Sequence, residues 1–193
     1  MGPKANGAER SEDIYPIILA AGRCEGLLTR QTISQSKARN WFRTALSNCV
    51  GLPPPVVVLG WSAERLKLCV PESTALVVNT NWVDGQITSL LAGLSRVPGG
   101  AAFMIYPVDL HNLQRDVVDE LVSAFHARRR GCEIVMPMYR EHAGHPAILS
   151  GALRQELALA ESARHVVYRD PSRVSFVKTE CAAVIRKRRP ARD

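Results

Sequence analysis

Apolar residues along the chain fall into two alternating rhythms. Short unbroken runs of aliphatic and β-branched residues occur at Ile14-Tyr15-Pro16-Ile17-Ile18-Leu19-Ala20-Ala21, Val56-Val57-Val58-Leu59 and Ala75-Leu76-Val77-Val78, and again at Ala101-Ala102-Phe103-Met104-Ile105-Tyr106 and Glu133-Ile134-Val135-Met136-Pro137. Their length and composition predict strands, and those at 14–21 and 56–59 are expected to be buried. Between them the period lengthens. Over 34–49, Ala38, Trp41, Phe42, Ala45, Leu46 and Cys49 recur at helical spacing with Lys37, Arg39 and Arg43 on the other side, and Gly51 and Pro53-Pro54-Pro55 stop the helix. A short helix opened by Ser62 follows, then a helix over 86–97 and a long one over 112–130 with Leu113, Val117, Val118, Leu121, Val122 and Phe125 on one face. Further on, 147–149 reads as a brief strand, 150–160 as a helix, and 165–168 and 174–177 as late strands.

Strands alternating with helices, with no internal repeat, predict a three-layer α/β fold around a doubly wound, mostly parallel sheet. The 193 residues suffice for one sizeable core and are few for two. The expected division is a disordered polar arm at 1–13, a single domain over 14–185 and a basic tail at 186–193.

Composition narrows the function classes. The hydrophobic share of 46% is that of a globular protein. No apolar run approaches the roughly 20 residues of a membrane helix, so a cytoplasmic protein without a membrane partner is expected. Five cysteines without CxxC spacing predict free thiols in a reducing compartment rather than a zinc site. The net charge of +7 suits a small polyanion such as a nucleotide. Much of the excess sits at Arg128-Arg129-Arg130 and Arg186-Lys187-Arg188-Arg189, without the interleaved aromatics of a base-stacking surface, which argues against nucleic acid.

Three loops at predicted strand ends carry the candidate chemistry. The first strand breaks at Leu19-Ala20-Ala21-Gly22, small residues that let backbone N–H groups approach a phosphate or base, and Arg23 adds a fixed positive charge. Asn79 ends the third strand, and the loop after it leads through Gly85 to a helix start with Thr88 and Ser89, a place for an anion. Asp109 stands at the end of the fourth strand. A carboxylate there can bind Mg²⁺ beside substrate phosphates, or it can cap the following helix. His145, between Gly144 and Pro146, can serve as a general acid or base or satisfy loop carbonyls. In open α/β sheets such loops converge on one crevice.

In order and spacing these residues resemble the MobA-like nucleotidyltransferases, and most closely the molybdenum cofactor cytidylyltransferase branch. Leu19-Ala20-Ala21-Gly22 matches the opening of the nucleotide loop, and Val56 to Gly60 the second strand. Asn79, Trp82, Gly85, Ser89, Leu90, Gly93 and Leu94 follow the family's asparagine, glycine and serine-leucine pattern. Asp109 matches a Mg²⁺-holding aspartate, and Gly144-His145-Pro146 a loop near the substrate pterin. The resemblance implies a nucleotide-diphospho-sugar-transferase-like fold of Rossmann type. It also implies transfer of a nucleotidyl group to a phosphorylated acceptor such as molybdopterin cofactor, with pyrophosphate released. CTP is favoured over GTP because two alanines, not a second glycine, open the loop. Leu19, Ala20, Ala21, Gly22, Arg23, Asn79, Gly85 and Ser89 would bind the nucleotide, Asp109 the Mg²⁺, and His145 would line the acceptor side.

The chain also departs from the family. Cys24 replaces a serine, Gly26 stands where an arginine is usual, and Gln31 falls at the position of a phosphate-neutralising lysine. The family's closing D-x-D/N-T-P segment, whose first acid can complete the metal site, has basic residues at its expected place in Val184-Ile185-Arg186-Lys187-Arg188-Arg189-Pro190, and Asp170 is the nearest substitute. The sequence therefore leaves two readings open, a Mg²⁺-dependent transferase and a non-catalytic domain of the same fold that binds and delivers a nucleotide or cofactor.

Overall fold

In the computed structural model, residues 12–23, 28–29 and 32–185 are described, and the predicted arm before residue 12 and the basic tail from 186 lie outside them. In chain order the strands and helices are β1 (Ile14–Ala20), β2 (Leu28–Thr29), β3 (Thr32–Ile33), α1 (Gln35–Asn48), β4 (Val56–Leu59), α2 (Ala63–Leu66), β5 (Ala75–Val78), α3 (Gln86–Leu94), β6 (Ala102–Pro107), α4 (Arg115–His126), β7 (Ile134–Tyr139), β8 (His142–Ala143), β9 (Ala147–Leu149), α5 (Arg154–Leu159), α6 (Ala163–Arg169) and β10 (Val174–Lys178). The main sheet has the order β10-β7-β9-β6-β1-β4-β5, with β8 paired to β7.

β1 lies between β4 and β6 and is parallel to both, with Leu19 opposite Val58 on one side and Pro107 on the other. The chain builds outward through β4 to β5 and then returns to the other side of β1 for β6. This reversal is the topological switch point at which open α/β sheets bind ligands. The sheet is parallel except at β9, which runs antiparallel to both β6 and β7, and at the two-residue β8, antiparallel to β7. Only residues 140–146, with β8 among them, separate β7 from β9, and a parallel crossover needs a dozen or more residues.

Alternation along each strand sends side chains into two cores. Ile14, Ile18, Val57, Met104 and Tyr106 pack under α1 and α4, whose buried faces are Ala38, Trp41, Phe42, Ala45 and Val117, Val118, Leu121, Phe125. Ile17, Leu19, Val58, Phe103 and Ile105 face α3, α5 and α6. Gly93 makes the second contact possible, because a Cβ there would lie 2.4 Å from Ile17 Cγ2. The three layers are those the hydrophobic pattern predicts.

Two predicted elements are corrected. Residues 165–168 are not a strand but part of α6, where Ala163, Val166 and Val167 turn inward at i, i+3 and i+4 and the Ser162 hydroxyl caps the helix by accepting from His165 N. The paired valines favour a strand locally, and the cap and the helical spacing outweigh them. The helix predicted from 112 begins only at Arg115, because Leu110 and Leu113 are buried in two tight turns closed by Leu110 N to Pro107 O and Leu113 N to Leu110 O.

The basic run after α4 serves the fold. Arg128 pairs with Glu12 at 2.6 Å and donates to the Phe125 and Cys132 carbonyls, and Arg129 donates to Ser172 O. Cys49, Cys69, Cys132 and Cys181 are free, and among the described residues no helix is long and apolar enough to cross a membrane.

Arg173 ties together the elements beneath the C-terminal half of the sheet. Its guanidinium reaches Glu156 of α5 at 2.8 Å, Glu133 at 3.3 Å and the Val166 carbonyl of α6 at 3.2 Å. The Arg173 hydrogen bond holds the Glu156 carboxyl below the usual glutamate range. A lowered folded-state value means that this contribution is present above the ordinary glutamate range and is lost as pH falls through the folded value. We predict that Arg173→Ala lowers unfolding stability in urea by about 2 kcal/mol at neutral pH. Glu156→Gln should flatten the acid limb of the stability–pH curve below the ordinary glutamate range, and an unchanged limb would refute the assignment.

Candidate functional site

Three strand ends meet at the switch point. Val108 N donates to Leu19 O at 3.1 Å, Trp61 N to Ala21 O at 2.8 Å and Asn79 N to Leu59 O at 2.7 Å, so the chains leaving β6, β4 and β5 are each tied to a neighbouring strand. Gly60 allows this approach. A Cβ on it would lie 2.7 Å from Ala21 O and 2.8 Å from Trp82 Cβ, too close for any side chain. Trp82 is half-buried against the core.

The loop after β5 is shaped from within. Asn79 is 7% exposed and its Nδ2 donates to Thr88 Oγ1 and Ser89 Oγ, each at 2.9 Å. Its Oδ1 accepts from Asn81 N at 3.0 Å, and Thr88 Oγ1 donates to the Asn81 and Gly85 carbonyls. Gly85 enters α3 with φ +110°, a left-handed conformation that favours glycine.

A cavity of about 990 Å³ opens on the α3, α5 and α6 face of the sheet. Of the residues singled out from sequence, Leu19, Gly85, Asp109 and His145 line it together, with Leu90 and Gly144 beside them. The others do not. The Ala20 side chain lies in the opposite core under α1, Ala21 is buried against Gly60, and Gly22 and Arg23 are exposed beyond β1. Asn79 and Ser89 are bonded to each other beneath the loop. Cys24, Glu25, Gly26, Arg30 and Gln31 lie outside the described residues.

Asp109 is half-buried and follows the Val108 contact to β1 directly. It is not the cap of α4, since Gln114 holds that position. Its carbonyl meets His111 Nδ1 at 3.0 Å, and the His111 ring stacks on Trp41 at 4.8 Å, which accounts for His111 structurally. His145 is placed from both sides: Gly144 N donates to Pro137 O and His145 N to Val184 O, each at 2.8 Å. A Cβ on Gly144 would come 2.4 Å from Val184 O, so glycine is needed for this closure.

Asp170 forms the turn its Asp-Pro context predicts, accepting from Ser172 N and Oγ, and these bonds hold its carboxyl below the usual range. Asp84 is exposed in the Trp82–Asp84 turn. Among the described residues no group of three or more His, Cys, Asp or Glu is placed to hold a metal ion. Burial pushes the Cys49 thiol up to about 12 and raises the Tyr106 phenol, so these core groups stay protonated at neutral pH. Sequence reasoning missed Arg164, Tyr168 and Phe176 on the cavity wall, because they carry no local motif and the stretch 165–168 reads from sequence as a strand rather than as part of α6.

Replacing Asn79 with Ala would strip partners from Ser89 and the Asn81 N–H. The expected loss is about 2 kcal/mol in urea unfolding, with faster hydrogen exchange at Asn81. A loss below 0.5 kcal/mol, roughly that of a neutral surface change, would sink the clamp.

The MobA-like NTP transferase domain family matches residues 16–174. No curated protein matches the chain. Among solved structures, the manganese complex of Rv0371c from Mycobacterium tuberculosis superposes with a TM-score of 0.66 at 21% identity, covering 86% of this chain and 88% of that one. A nucleotidyl transferase from Methanothermobacter thermautotrophicus gives 0.67 at 16% identity, with 88% of each chain covered. The 4-diphosphocytidyl-2C-methyl-D-erythritol synthase of Anaerococcus prevotii gives 0.64 at 11% identity over 92% of this chain and 91% of that one. These likenesses establish the fold.

Proposed function

The chain belongs to the MobA-like NTP transferase family, and from that premise we propose that it transfers a nucleotidyl group from CTP to a phosphorylated acceptor of the molybdopterin type, with pyrophosphate as the leaving group. The observation that carries this reading is Asp109 at the switch point, on the wall of one cavity with Leu19, Gly85 and His145. The acceptor phosphate oxygen would attack the α-phosphorus of the nucleotide while the bond to the β-phosphate oxygen breaks. Such a reaction is mostly positioning and charge neutralisation.

In this reading the backbone from Leu19 to Arg23 and the Gly85 turn hold the nucleotide, and Asn79 and Ser89 act by shaping that turn. His145, fixed by Val184 O, presents its ring to the acceptor phosphate. Mg²⁺ is the favoured ion, and the manganese in the Mycobacterium tuberculosis relative supports a divalent metal. The donor set fits a loosely held hard cation. Asp109 offers one carboxylate, and Mg²⁺ commonly relies on one or two carboxylates plus substrate phosphates and water. When bound, the ion would neutralise charge on the triphosphate.

Gln31 at the position of the phosphate-neutralising lysine, and basic residues in place of the closing acid, favour as the second reading a domain that binds without turnover. Calorimetric titration with CTP, GTP and ATP, each with and without Mg²⁺, tests both. Transfer predicts CTP binding that needs Mg²⁺, falls at least tenfold in Asp109→Ala, and is accompanied by pyrophosphate release once acceptor is added. Mg²⁺ alone should bind too weakly to measure at micromolar protein. Metal-independent CTP binding without pyrophosphate release would select the binding domain, and no nucleotide binding would refute both.

A further inference from the structure

Seven large apolar side chains are exposed among the described residues, and five are aliphatic: Val50, Leu68, Val78, Val83 and Leu159. None of these five lines the cavity. The two aromatic members, Tyr168 at 50% exposure and Phe176 at 40%, both do. Scattered exposed aliphatic residues are ordinary on a protein surface. Two exposed rings on the wall of one concave site are not scattered.

They are also well anchored. Tyr168 stands on α6, whose Val166 and Val167 are buried and whose Val166 carbonyl is held by Arg173. Phe176 lies on β10 opposite Met136 of β7. Met136 and Met138, two residues apart on one face of β7, line the same wall, so the floor beside the rings is apolar and polarisable. Arg164, one turn before Tyr168 on α6, brings a positive charge to this end, its guanidinium carbon 5.4 Å from the Tyr168 ring centroid. Asp109, Leu19 and Gly85 belong to the other end, at the termini of β6 and β1 and the start of α3. A volume of about 990 Å³ is at the top of the range of small-molecule pockets, roughly 300–1,000 Å³.

We propose that Tyr168 and Phe176 form an acceptor subsite for a flat aromatic ring system, with Arg164 meeting an anionic substituent on it, so that this end of the cavity selects aromatic phosphate monoesters over sugar phosphates. The proposal rests on the two-substrate reading above. It adds the residues that choose the acceptor, and the rings act on the acceptor alone.

The test uses the full-length protein and two probes of similar charge, 1-naphthyl phosphate and ribose 5-phosphate, titrated calorimetrically with CTP and Mg²⁺ present and again without them. Naphthyl phosphate should bind at least tenfold tighter than ribose 5-phosphate. Tyr168→Ala and Phe176→Ala should each weaken naphthyl phosphate about tenfold, as loss of a stacking partner does. Ribose 5-phosphate and CTP should change less than twofold, and Tyr168→Phe should retain the preference. Equal affinity of the wild-type protein for the two probes overturns the proposal, whether or not the variants fold. A preference that survives both alanine variants overturns it as well. Loss of nucleotide binding with the ring preference intact would defeat the transferase reading and leave the subsite standing, so the two failures are separable.

Discussion

The arrangement depends on the close approach of backbone at Gly60. With no Cβ, this residue lets the end of β4 lie against Ala21 and Trp82, at distances where any side chain would collide with a carbonyl that is already hydrogen-bonded to Trp61 N. Overpacking at such a point is relieved only by separating the strands. Because β1 is tied to β6 through Val108 N and Leu19 O, a displacement of the β1 end would also move Asp109. The geometry of the candidate site therefore rests on sterics at a position that carries no chemistry.

Polar side chains divide into those that hold shape and those that face the cavity. Asn48 is spent on Tyr106 Oη and the Leu113 carbonyl, Asn79 on Ser89 and Thr88, and Arg173 on Glu156, Glu133 and Val166 O. Burying such groups is costly unless their partners are supplied locally, and here they are. This division changes the meaning of a family pattern. An asparagine and a serine ten residues apart mark a nucleotide loop in the resemblance, yet they meet each other beneath that loop. Their bearing on a ligand runs through the backbone they place.

The layers and most of the elements were legible because burial on both faces of a strand, or on one stripe of a helix, leaves a local periodic trace. The trace of α1 in Ala38, Trp41, Phe42 and Ala45 was unambiguous. It failed at 165–168, where two adjacent valines fit either period and the outcome turned on Ser162 and on burial against α5. Asp109 and His145 were legible as candidates because strand ends and a Gly-His-Pro loop are local features. Tyr168 and Phe176 were not, because their significance is that both are exposed on one wall, a property of tertiary structure alone. The glycine requirement at Gly144 was equally hidden, since it is set by Val184, forty residues away.

The two halves of the sheet differ in a way that bears on the chemistry proposed for them. Around β1 every neighbour is parallel, the strands are buried but for Tyr15, and the loops leave at one edge, which suits a reaction requiring fixed phosphate geometry. Beyond β6 the antiparallel β9 interrupts that order, and the His145 loop and the edge strand β10 are supported by short elements, α5, α6 and the Ala182–Val184 turn. An edge strand normally sheds exposed aromatics, because open backbone beside an apolar ring invites association. Phe176 on β10, opposite Met136 of β7, is an exception, and it lies in the lining of the cavity. The proposed acceptor subsite thus lies on the antiparallel side of the fold, apart from the parallel junction around β1. Substituting its rings would leave that junction as it is.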